Sequence, residues 1–276
     1  MGLRFALHAL PALLAMSVVV AGCATPAAPV TVPVYAAGSL RAPLTEAANA
    51  FEAAQPNARV ELVFGASGLL RERILQGEPA QVFASANMEH PRSLASAGWQ
   101  PVRAFARNAL CALAPAKAGF TPQNLVARLL DPAVRVGTST PKADPSGDYA
   151  FEMFARIGAR PGAPAGARQA LEKKALQLTG GPSSPQPPAG RSVYGELVAT
   201  NQADVFITYC TNAVAAVAEH PQLAVTQVPA EINVTADYGL AVRNGAPREA
   251  QAFADYLLSP AGQQLLARHG FQSPGN

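Results

Sequence analysis

Charge is scarce in this chain. Asp, Glu, Lys and Arg make up 14% of 276 residues and the formal net charge is only +3. No basic face builds up, which removes nucleic acid from the expected partners. Histidine is rarer still, four in all. Apart from His8, each stands beside a loop or helix-end residue (His90-Pro91, His220-Pro221, His269-Gly270) and reads as a solvated helix terminus, a poor place for a general base. A nucleophile elbow is missing too. Gly65-Ala66-Ser67-Gly68 puts a serine in a strand-to-helix turn but lacks the G-x-S-x-G spacing, which disfavours a serine hydrolase. Asp144 and Asp148 are close enough to suggest a metal, but no third carboxylate or EF-hand spacing follows, and they read as turn and helix N-terminal acids. Beyond residue 23 no apolar run is long enough to cross a membrane. No fixed-period repeat occurs, so solenoids and propellers are excluded.

The residues before Cys23 form a targeting segment rather than part of the fold. Arg4 supplies the positive start, Phe5 to Val20 is almost wholly apolar, and Val20-Ala21-Gly22-Cys23 ends it with small residues before a cysteine. The stretch resembles a bacterial lipoprotein signal, with Val where Leu is commoner at the first lipobox position. The resemblance implies cleavage before Cys23, lipid on that cysteine and a membrane anchor; a plain secretory peptide or an uncleaved anchor are the alternatives. Residues 24–32 then serve as a flexible tether containing proline. In an oxidising compartment the two later cysteines, Cys111 and Cys210, are a disulfide candidate, both in strand-like runs, with two buried free thiols as the alternative.

The chain is organised around Phe64-Gly65-Ala66-Ser67-Gly68-Leu69-Leu70. Val60 to Phe64 is strand-like, Gly65 and Gly68 permit a tight backbone, and a helix follows to Gln76. A helix N-terminus carries unpaired N–H groups and a positive dipole end, so a serine beside it makes an anion seat without a charged side chain. Ser67 as a mere N-cap is the plainer alternative. A second copy of the device precedes it: Val32 to Ala37 is an apolar strand, then Gly38-Ser39-Leu40, then a helix to about Ala54. Two strand–Gly/Ser–helix units form a βαβ arrangement, and ligands of open α/β sheets collect at the carboxyl ends of strands. Ser39 and Ser67 are therefore expected to face one ligand.

Further along, strands are expected at Pro79–Ala86, Phe105–Pro115, Val134–Gly137, Ala203–Tyr209, Leu223–Val228 and Val234–Val242. Helices are expected at Met88–Ala97, Pro122–Leu130, Ala150–Ile157, after Arg191, from Thr211 to Glu219, and at Pro247–Leu258 and Pro260–His269. Pro145-Ser146-Gly147 is a third hydroxyl-bearing loop before a helix. Gly158–Gly166 and Thr179–Gly190 are Pro/Gly-rich surface loops.

These stretches, with Ala203-Asp204-Val205-Phe206-Ile207-Thr208-Tyr209 and the run from Phe253 through Ser259-Pro260-Ala261-Gly262-Gln263, resemble the periplasmic molybdate-binding proteins of molybdate ABC transporters, over about Pro33 to Phe271. The resemblance implies a two-lobed α/β type II periplasmic binding fold with a cleft between lobes. Lobe 1 is residues 33–107 and 229–276, and lobe 2 is residues 108–228. It implies a monomer with no enzymatic activity and no cofactor, which holds molybdate or tungstate and passes it to a membrane permease. By position the ligand-holding residues are Ser39, Ser67, Ser146 and Tyr209. The family's Asn-Val-Arg helix start falls on Gly190 to Tyr194, which brings in Arg191 and Ser192; Arg191 either enters the site or points to solvent. A site made only of donors rejects protonated oxyanions. Sulfate, a phosphonate or a small organic acid are the alternative ligands on the same fold, the last calling for a positioned arginine.

Overall fold

The computed structural model describes residues 1–2, 28–185 and 191–275. Cys23, residues 3–22 of the signal segment and residues 24–27 of the tether lie outside the described residues, and the expected tether is shorter at its far end, where Val30, Thr31 and Val32 already belong to a strand paired along its length. The chain opens with β1 (Val30–Ala37), a 3-10 turn at Gly38–Leu40, α1 (Arg41–Ala54), β2 (Ala58–Gly65) and α2 (Ser67–Leu75). β1 pairs β2 in parallel, from Val30 opposite Ala58 to Ala37 opposite Gly65. Both strands therefore deliver their carboxyl ends, and the serines after them, to one edge of the sheet. Val32, Val34 and Ala36 alternate into the core, and Leu44, Ala47, Ala48 and Phe51 of α1 cover them at helical spacing.

β3 (Val82–Ser85) flanks β1 on its other side, and α3 (Glu89–Arg92) follows. The helix expected from Met88 to Ala97 is broken into α3 and a 3-10 turn at Ala95–Ala97. The break falls at Leu94, whose N–H goes to Pro91 O because the Ser93 hydroxyl takes His90 O at 2.7 Å. The second half runs through α4 (Leu125–Leu130), β5 (Val136–Ser139), α5 (Pro145–Ala159), α6 (Ala167–Lys174), β6 (Leu176–Thr179), α7 (Val193–Ala199), β7 (Val205–Tyr209), α8 (Cys210–Glu219) and β8 (Leu223–Gln227). β9 (Thr235–Val242), α9 (Arg248–Leu258) and α10 (Pro260–Arg268) then return to the first half, where Phe253 packs edge-on to Phe51 with ring centres 5.3 Å apart.

The long strand β4 (Arg103–Pro115) joins the halves. Up to Ala109 it pairs antiparallel with β9; from Leu110 it pairs with β7, and from Cys111 also with β8. The path order is β2-β1-β3-β9-β4-β7-β5-β6, with β8 on β4, a mixed and curled α/β sheet. Asn233, just before β9, clasps the crossing by accepting from Leu110 N at 3.0 Å and donating to Leu110 O at 3.0 Å. Gln263 of α10 donates to Phe105 O at 2.9 Å, which ties the closing helices to the same strand. Cys111 on β4 and Cys210 at the start of α8 are joined by a disulfide, their Cα atoms 4.8 Å apart.

Two of the histidines expected at solvated termini are buried: His90 is 5% and His220 8% exposed. Tertiary packing overrides the local signal. Burial, with Arg71 nearby, pushes the His90 imidazole down so that it stays neutral. Glu196 of α7 lies 3.5 Å from His220. Among the described residues no helix is long and apolar enough to cross a membrane.

Candidate functional site

Ser67 is the first residue of α2, and no side chain caps that helix. Its hydroxyl, 1% exposed, instead accepts the N–H of Ala86 at 3.1 Å, just past β3. The carbonyl of the same Ala86 accepts from the Tyr209 hydroxyl at 3.4 Å. A residue of the first half is thus held by a serine from its own side and a tyrosine from the other. The Tyr209 ring lies 5.6 Å from Tyr238 of β9 and 6.3 Å from Tyr149 of α5. Tyr238 in turn shares a 2.9 Å hydroxyl contact with Ser39, on the 3-10 turn after β1. Ser39, Ser67 and Tyr209 therefore belong to one connected group, through Tyr238 and Ala86.

Two further members of that group, Tyr238 and Asn108, are not among the residues expected from the sequence. Tyr238 is fully buried, and Asn108 of β4 donates to its oxygen at 3.4 Å and to Thr211 Oγ1 at 2.8 Å. The readable signal was a polar side chain inside an apolar strand, which folding tolerates only when it is hydrogen-bonded. Burial pushes the hydroxyls of Tyr209 and Tyr238 far up from the ordinary tyrosine range, so both remain protonated donors.

α5 begins five residues earlier than the expected Ala150, since Asp144 caps it and Pro145 occupies its first turn. Ser146 consequently sits in the helix, with its N–H on Asp144 Oδ1 at 3.0 Å and its hydroxyl buried without a partner. α2 meets the loop before α5 through Gly68 N, which donates to Ala143 O at 2.9 Å. The starts of two helices from opposite halves are thereby brought face to face. The expectation of donors alone does not hold at α5, where the Asp144 carboxylate sits on the amide of Ser146.

Arg191 and Ser192 are not brought into this group. The exposed Arg191 guanidinium is held by Glu196 at 2.5 Å and by Glu219 at 3.4 Å, so two carboxylates turn it outward. Ser192 caps α7, accepting from Gly195 N at 3.2 Å, while its own N–H goes to Glu219. Tyr194, two residues on, is the one that faces inward, against Ser139 and Thr208 with its ring on Phe206. Among the described residues no group of three or more His, Cys, Asp or Glu is placed to hold a metal ion.

Two α/β halves crossed by β4 and β9, with hydroxyls of both meeting over Ala86, have the architecture of a periplasmic binding protein. The chain belongs to the bacterial extracellular solute-binding proteins, whose family model matches residues 32–272. It is 40% identical over 243 residues to an uncharacterized protein of Pasteurella multocida, covering 86% of this chain and 97% of that one. It is 27% identical over 250 residues to the molybdate-binding protein ModA of Mycobacterium bovis, covering 87% and 84%. Among solved structures it resembles the sulfate-binding protein SubI of Mycobacterium tuberculosis, with a TM-score of 0.72 at 17% identity over 88% of this chain and 86% of that one. Family and neighbours are binding proteins rather than enzymes, and the family places this chain outside the cytoplasm.

Proposed function

We propose that this protein is the extracytoplasmic receptor for molybdate, accepting tungstate as well, and that it delivers the anion to the permease of an ABC transporter. Lobes at 33–107 with 229–276 and at 108–228 close on the ligand, and a lipid on Cys23 holds the monomer at the membrane. One observation carries the reading: uncharged hydroxyls from opposite halves (Ser39 and Ser67 on one side, Tyr209 and the unpartnered Ser146 on the other) gather where two helix starts meet. A tetrahedral dianion taken out of water needs donors on every oxygen. Hydrogen bonds to an ionised acceptor contribute about 1.5–3 kcal/mol each, so several of them with helix dipoles behind offset desolvation without a salt bridge. The molybdate-binding relative in sequence supports this ligand. The organic-acid alternative loses its arginine, since Arg191 is engaged by Glu196 and Glu219.

Thermal unfolding with molybdate, tungstate or sulfate tests it. Ligand at a hundredfold excess over Kd stabilises by about 2.7 kcal/mol, a rise of several degrees. Molybdate and tungstate are expected to give that rise and sulfate little. An equal response to sulfate contradicts the assignment.

A further inference from the structure

The carboxylate of Asp144 stands where the proposed site has least use for a negative charge. It caps α5, a helix of 15 residues, and Oδ1 takes the Ser146 N–H that an oxyanion at this helix start would also draw on. The turn after β6 roofs it: a Cβ added at Gly180 would lie 2.5 Å from Asp144 Oδ2, and φ there is +76°. Beside it the Ser146 hydroxyl is wholly buried without a partner, and the buried Ser139 hydroxyl lies against the carboxylate and favours its ionised form. The titratable groups bearing on it are Asp148 from α5, Tyr194 from α7, Tyr209 from β7 and Tyr238 from β9. Lys142, the nearby cation, donates its backbone N–H to Asp148 at 2.7 Å. No cation is among the groups that shift Asp144, and burial pushes its carboxyl up to about 6.

We propose that the oxyanion binds together with a proton carried by Asp144, which makes this residue the one that sets the pH range of binding. The inference rests on the receptor reading above. An ionised Asp144 repels a dianion at the start of α5. A protonated one no longer does, with Oδ1 still accepting from Ser146 and the proton held on Oδ2 under the Gly180 turn. The proton comes from solvent and stays on the carboxyl. The sign follows from linkage: the bound anion raises the pKa of Asp144 above its ligand-free value, so affinity is full below about pH 6 and falls as pH rises. The limit is tenfold per unit well above that pH, and roughly 15-fold in all between pH 6, where half the carboxyls are already ionised, and 7.5.

Isothermal titration with micromolar molybdate, from pH 5.5 to 8 in buffers of low and high ionisation heat, reads both quantities. The expected result is proton uptake approaching one per anion at pH 7.5, with the matching loss of affinity. Asp144→Asn keeps a good helix cap and is expected to abolish uptake, flatten the pH profile and bind more tightly than the parent at pH 7.5. Binding without proton uptake, on a pH profile shared with the variant, overturns the inference while leaving the receptor intact. If the variant fails to fold, the proton count of the unaltered protein decides alone. If neither molybdate nor tungstate binds at any pH, the receptor reading falls, and this inference with it.

Discussion

Gly68→Ala perturbs the contact between the halves and little else. Gly68 lies in the first turn of α2, and its N–H donates to Ala143 O at 2.9 Å across the divide. A Cβ on it would lie 2.5 Å from Lys142 O and 2.7 Å from Ala143 O, whereas carbon and oxygen ordinarily approach to about 3.3 Å. The facing loop has little room to give, because Lys142 already holds a left-handed φ of +68°. Overpacking of this kind costs about 1–3 kcal/mol. Since it falls on the arrangement in which the halves touch, it lowers the fraction of binding-competent protein, and apparent affinity drops in proportion. At 1.4 kcal/mol per tenfold that is about 5- to 140-fold. Molybdate titration of parent and variant measures the loss. Small-angle scattering is expected to show a smaller ligand-induced compaction in the variant. The ligand-free melting point should hardly move, because separated halves relieve the clash. Unchanged affinity together with unchanged compaction would refute the idea that this contact belongs to the binding-competent state.

Reducing the Cys111–Cys210 bridge, which spans a sequence separation of 99, removes a constraint that chain entropy puts at about 4.7 kcal/mol for a loop of that length. The melting point is expected to fall by roughly 10 °C; two free thiols titrating in the unreduced native protein would rule the bridge out. Tyr238→Phe strips both Ser39 and Asn108 of a partner, an expected loss of about 1–3 kcal/mol in urea unfolding. An unaltered midpoint would mean that the Ser39–Tyr238 contact is not made in solution.

The opening units were legible because everything needed to read them is local. β1, its turn and α1 follow one another, the apolar spacing of Leu44, Ala47, Ala48 and Phe51 names the buried face, and β2 lies beside β1 with its own serine turn. α6 and β6 offered no such pattern. Only Ala167 and Leu171 of α6 are buried, and a stretch of eight residues with two core contacts looks like a charged loop. Missing that pair had a consequence for the site. The turn after β6 is the roof over Asp144, so the expected place of this acid at a helix N-terminus is borne out while its burial is not legible.

The same logic explains which site residues could be found. Ser39 and Ser67 announce themselves through glycine turns at strand ends, a grammar of neighbouring residues. Tyr238 meets Ser39 across a separation of 199 residues, and no periodicity spans such a distance. Its partner Asn108 was the one available clue, because a buried amide in an apolar strand demands a second group to satisfy it. That demand can be counted in sequence even though the answer cannot be placed. Asp144 extends the point to charge: an acid beside Pro-Ser-Gly is an ordinary cap when wet. Here a glycine roof covers it, and the buried hydroxyls of Ser139 and Ser146 lie beside it. Burial turns the cheapest helix cap into the most expensive group in the site, and a ligand that arrives there has to settle the charge that folding left unbalanced.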